Sequence, residues 1–172
     1  MNDIMGRLSK EELVKVIQMF SKNWLTLDGL WFTLVEEKYG LEAALDLDLK
    51  MWQKNALIQA RRIKKDIGIK DGGIEGVLKA LRFMTFDASM PFEYSIDGSN
   101  QAQIWYTTCR PQEGRIRAGR GEFPCKTMGM ACYGISAKTI DPRVKVECVF
   151  CPPDSHPLDV WCKWILSLTE AS

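Results

Sequence analysis

Six cysteines fall at 109, 125, 132, 148, 151 and 162, all within the last 64 residues of a 172-residue chain. Their clustering constrains the fold more than any other feature. The N-terminal stretch MNDIMGRLSKEEL has no apolar run of the kind a signal peptide needs, and no segment reaches the ~20 apolar residues of a membrane-spanning helix. The expected compartment is therefore the cytosol, where thiols stay reduced. Grouped cysteines there serve as metal ligands, catalytic groups or buried small side chains, not as lasting disulfides.

Cys148 and Cys151 form a CxxC that ends an apolar strand pattern, VKVECVF, just before Pro152-Pro153. Two thiolates three residues apart at a turn can grip one tetrahedral metal. Cys162 lies on the returning strand, opposite the CxxC. The best candidate for a fourth ligand is Cys125, which follows Pro124 at the start of a helix, where the helix dipole favours a thiolate. His156, the only histidine, lies in the Cys151–Cys162 loop and is an alternative ligand. A redox role for the CxxC is less well supported, because redox motifs of that kind open a helix.

The N-terminal half has helical periodicity. Ser9 and Glu12 make a capping box ahead of Leu13, Val16, Ile17 and Phe20. Thr26 or Asp28 is placed to cap a second helix ending at Gly40, a third runs from Leu41 to Gly68, and a short fourth spans 74–83. The second half changes period. Strands are expected at 92–96 and 101–109 around the turn Asp97-Gly98-Ser99-Asn100, then a loop at 111–124 and a helix at 126–140. Further strands are expected at 143–150 and 159–168. The expected class is α+β: N-terminal helices followed by a β-β-α-β-β antiparallel unit with helices on one face. One domain spans 1–172, with a helical part at about 9–85 and a sheet-containing part at about 90–170.

Charge gives little direction. There are 23 basic and 22 acidic residues, so nothing drives the whole chain toward nucleic acid or a membrane surface. Arg110, Arg115, Arg117 and Arg120 lie close together opposed by Glu113 and Glu122, and Arg110 and Arg115 are candidates for binding a carboxylate or phosphate.

Cys125 ahead of a Gly/Ala-rich helix, a strand ending in Cys148-x-x-Cys151, and Cys162 on a final strand resemble the 4-vinyl reductase domain, shared with phenol-responsive sensor domains. Through WFTLVEEKYG, ARRIKK, GEFPCK and ECVFCPP, the chain from about 8 to 168 also resembles a family near the L-2-amino-thiazoline-4-carboxylic acid hydrolases. The first resemblance implies a structural zinc held by Cys125, Cys148, Cys151 and Cys162. It further implies an apolar pocket between helices and sheet, with Trp31, Phe32, Trp52, Phe83, Phe86, Phe92, Trp105 and Met128 as candidate lining. Core packing accounts for the same aromatics. The implied partner is a small apolar or aromatic molecule, with or without a carboxylate. The second resemblance implies a hydrolase of a small acid of thiazoline or other sulfur-containing type. A third reading is a scaffold that homodimerises through its N-terminal helices.

Overall fold

A computed structural model describes residues 4–169. After a 3-10 turn at Met5–Arg7, helix α1 spans Lys10–Tyr39. The capping box forms as expected: Ser9 Oγ accepts from Glu12 N–H at 3.2 Å, and Glu12 Oε2 accepts from Ser9 N–H at 2.8 Å. The expected break near Thr26 and Asp28 is absent, and one helix replaces two. Thr26 donates its hydroxyl to the Lys22 carbonyl at 2.9 Å, one turn back within the helix. A polar side chain satisfied in this way no longer signals a helix start. The real break is Gly40, whose φ of 87° reverses the chain into α2, Leu41–Asp66.

Ala44, Trp52, Ala56, Ala60 and Ile63 form the buried stripe of α2. Their small members let α2 lie close against α5, Lys126–Ile140, which in turn covers the sheet. Helix α3, Gly73–Leu81, fills the space beside α5. Asp141 fixes the start of α3 by accepting from Gly73 N–H at 2.7 Å, while the Arg143 guanidinium grips the same carboxylate at 3.0 and 2.7 Å. A short helix, α4 (Arg110–Arg117), occupies part of the expected loop. Pro111 sits in its first turn, where a missing N–H costs nothing.

The strands are β1 (Glu93–Asp97), β2 (Gln101–Tyr106), β3 (Val144–Phe150) and β4 (Cys162–Leu168). They form one sheet in the order β1-β2-β4-β3, with every neighbour antiparallel. Ala102, Ile104, Tyr106, Val144, Trp164 and Leu166 face the helices. The α+β class therefore holds, with two helices between β2 and β3 instead of one.

The contact of α5 with the sheet depends on one glycine. A Cβ at Gly129 would lie 2.7 and 2.8 Å from ring atoms of Trp164. Gly129→Ala is expected to destabilise the protein by about 1–3 kcal/mol through overpacking. Gly134 on the same helix has open space around it, so Gly134→Ala should gain up to about 1 kcal/mol from helix propensity. Urea denaturation of the two variants checks the opposite signs.

Candidate functional site

Two features adjoin each other under α4: a group of thiols at the sheet end, and a cavity among the helices.

Cys125 occupies the N-cap position of α5, Cys148 lies on β3, Cys151 follows the end of β3, and Cys162 opens β4. The Cys125 and Cys151 sulfurs are 3.4 Å apart, and Cys151 also interacts with the Cys162 thiol. The Cys151 thiol and the Gln112 amide, at 3.4 Å, both donate to Cys125, holding it below the ordinary thiol range. Trp164 Nε1 donates to the Cys162 sulfur at 3.2 Å. Burial pushes Cys148 up to about 11, even with Lys126 nearby. Among the described residues, no group of three or more His, Cys, Asp or Glu side chains is placed so that it could hold a metal ion. Two sulfurs sharing one zinc at 2.3 Å bonds lie about 3.8 Å apart, close to the Cys125–Cys151 contact. His156 is engaged elsewhere, against Glu122 at 3.4 Å, the Pro157 carbonyl at 2.9 Å and the Trp161 ring. Cys132 is buried on α5, and Cys109 precedes α4 close enough to feel the charges of Cys125 and Cys162.

The cavity has a volume of about 460 Å³ and is bounded by α1, α2, α4 and α5; it was expected between helices and sheet, but no strand residue lines it, because α5 lies between it and the sheet. Phe32, Trp52, Phe86 and Met128 line it, as expected. Four expected lining residues do not. Trp31 is 65% exposed, on the side of α1 facing away from the cavity, where it borders a surface groove between α1 and α2. Phe83 is 47% exposed just beyond α3. Phe92 is core, packed against Tyr106 and covered by the Arg82 guanidinium. Trp105 lies on the outer face of the sheet under Lys163, because β2 alternates and turns Ile104 and Tyr106 inward.

Arg110 and Arg115 both line the cavity. The anion-binding fork expected of Arg115 is already taken: its terminal nitrogens donate to both Glu36 oxygens at 2.6 and 3.0 Å. Arg120 pairs with Glu37 and reaches Glu36 at 3.5 Å, so these ion pairs fasten α4 and its following loop onto the end of α1. Arg115 Nε remains buried without a partner. Gln112 joins the two features. It is buried, exchanges hydrogen bonds with the Phe123 backbone at 2.6 and 2.7 Å, and donates to Cys125.

Two cavity residues went unrecognised in the sequence, Asp28 on α1 and Asp48 on α2. Burial raises Asp28 to about 6. Burial and the repelling charge of Asp28 raise Asp48 to about 7, against a favourable hydrogen bond with Trp52. The signal was available. Asp48 sits one turn from both Ala44 and Trp52 on the buried stripe of α2, and Asp28 one turn from Trp24 and Phe32. An acid placed on an apolar stripe marks a carboxylate partly withdrawn from water.

Among the described residues no helix is long and apolar enough to cross a membrane. No curated protein and no solved structure matches the chain. A family model described as a family of unknown function, DUF6125, matches residues 6–168. With nearly the whole fold and both halves of the site inside that match, the chain belongs to the DUF6125 family.

Proposed function

We propose that this chain is a cytoplasmic small-molecule-binding domain whose cavity takes an apolar or aromatic ligand, beside a thiol group that holds one structural zinc. The observation that carries the reading is the 460 Å³ cavity walled by aromatic side chains, a size and lining typical of ligand sites. Cys125, Cys151 and Cys162 supply contacting thiol donors, with Cys148 on the adjoining strand as the fourth. Four thiolates would leave zinc no open position for water, so its contribution would be to stability.

Metal analysis of protein purified without oxygen should find about one zinc per chain. Finding none, with all six thiols freely titratable, counts against the zinc. Quenching of tryptophan fluorescence by an apolar dye, lost when Met128→Trp narrows the cavity, tests the binding reading. Quenching that is unchanged in that variant removes the support for the cavity.

Asp28 and Asp48 favour a second reading, a hydrolase of a small acid. Carboxyls raised to about 6 and 7 can hold and accept protons near neutrality. Turnover of thiazoline or small thio-acid substrates that Asp48→Asn abolishes would support it, and no turnover across the panel would count against it. Leu27, Leu30, Trp31 and Leu34 on α1 are exposed and apolar, a surface available to a homodimer. Sedimentation of the purified chain as a monomer would remove that reading.

A further inference from the structure

Helix α1 carries two apolar faces, and the chain uses one of them. The inner face is spent within the molecule: Leu25 packs on the core, Phe32 meets the Phe123 ring, and the Ser21 and Ser89 hydroxyls share a hydrogen bond at 2.8 Å. The second face alternates strictly between steps of three and four residues: Ile17, Phe20, Trp24, Leu27, Trp31 and Leu34, with Leu13 one step earlier. That alternation is the roughly 3.5-residue period of a coiled-coil seam. Lys10 and Lys38 take the next positions at either end, so the apolar stretch has defined limits. Trp24 is half-buried against Trp52, and the other five of the six are more than half exposed. Of the 30 residues of α1 only Ser21 is buried. A helix draws most of its stability from packing one face, so this one is short of a partner.

Helix α2 continues the face. Leu47, Met51 and Ile58 are exposed at steps of four and seven residues, with Lys54 in the position between. They wall a groove of about 610 Å³ whose other side is Trp24, Leu27, Trp31 and Val35 of α1. The exposed apolar residues of the two helices offer on the order of 1,000 Å² per copy, against the roughly 800 Å² per partner that a standard interface buries. Scattered apolar residues on a surface are ordinary, but a contiguous patch of this size marks an interaction site. Leu27, Leu30 and Leu34 form a ridge on α1 beside the groove. The face is therefore self-complementary: a two-fold axis would lay the ridge of each copy into the groove of the other.

On the homodimer reading given above, we propose that a second copy of this chain occupies the face. Helices α1 and α2 of two chains join as a four-helix bundle, along the seam from Leu13 to Leu34 and the groove beside it. A membrane surface is the poorer match. Interfacial helices are basic on their polar side, whereas α1 carries four lysines against five acids.

Sedimentation equilibrium of the full chain at micromolar concentration should give a dimer. Leu27→Glu puts a charge at the middle of the seam and should weaken association at least about hundredfold. Leu34→Gln, a milder change on the same seam, should weaken it at least about tenfold. Both side chains are exposed in the single chain, so the near-ultraviolet circular dichroism of the core should be kept in each variant. Ile96→Glu is the control, an equally apolar and exposed position on β1, and should leave the dimer intact. A chain that is monomeric throughout overturns the proposal together with the homodimer reading. A dimer that survives both seam variants, or that Ile96→Glu dissociates, overturns the proposal alone. Flotation with vesicles of equal parts phosphatidylserine and phosphatidylcholine, lost in the seam variants, would assign the face to a membrane and also overturn it.

Discussion

Asp48→Asn is expected to stabilise the ligand-free protein by about 2–4 kcal/mol above pH 7.5, and to flatten its stability between about pH 4 and 7. The sign follows from proton counting. Asp28 and Asp48 are raised in the folded chain to about 6 and about 7, from the ordinary aspartate value of 3.8. Between those limits the native state binds more protons than the unfolded chain. Their contribution is therefore fully present below about pH 4 and is lost as pH rises through 6 to 7. Each unit of displacement corresponds to about 1.4 kcal/mol, and asparagine never ionises. Asp141 runs the opposite way. Its pairing with Arg143 holds it below the usual carboxylate range, so its contribution is lost only as the solution becomes acidic. Urea denaturation from pH 4.5 to 8.5, followed by tryptophan fluorescence, checks the result. Parallel curves for wild type and variant would show that Asp48 is not held at a raised value.

The second large effect concerns the thiols. Cys151→Ser should lower stability by several kcal/mol in zinc-replete protein and remove bound zinc, because Cys151 contacts both Cys125 and Cys162. Cys151 is itself buried, so a serine there costs about 1–3 kcal/mol even with no metal, by leaving a hydroxyl in the interior. The chelator separates the two contributions. It should bring wild type down toward the variant and leave the variant's melting temperature where it was. Cys132→Ala is the control: it removes another buried sulfur, and its cost should not respond to chelator. If chelation leaves wild type unmoved, the thiol group is ordinary core.

The local rules carried most of the fold. The Ser9–Glu12 capping box, Gly40, the turn at Asp97–Asn100 and the helix at 126–140 all stand where sequence chemistry puts them. The failures share a cause, which is that one residue type can satisfy two geometries. Thr26 can cap a helix or bond back into one, and its own sequence does not distinguish them. Helix α4 is short and polar, and its apolar contacts are too few to imprint a period on Arg110–Arg117. The type of an aromatic residue does not fix its surroundings; its position on the element does. Trp31 and Phe32 are neighbours, yet a step of about 100° around α1 sends one to solvent and the other into the cavity. Asp28 and Asp48 belong to no motif, and only their spacing from apolar neighbours marks them. The helix periods place Asp48 on the buried stripe of α2 and Asp28 between the half-buried Trp24 and Phe32 of α1.

Gln112 makes the sulfurs and the cavity wall parts of one mechanical unit. Its amide holds the segment around Phe123, a cavity residue, and the same amide donates to Cys125. Anything that repositions Cys125 therefore alters the anchoring of that wall. If the sulfurs and the cavity each take a partner, linkage makes any effect of the one on the affinity of the other equal in both directions.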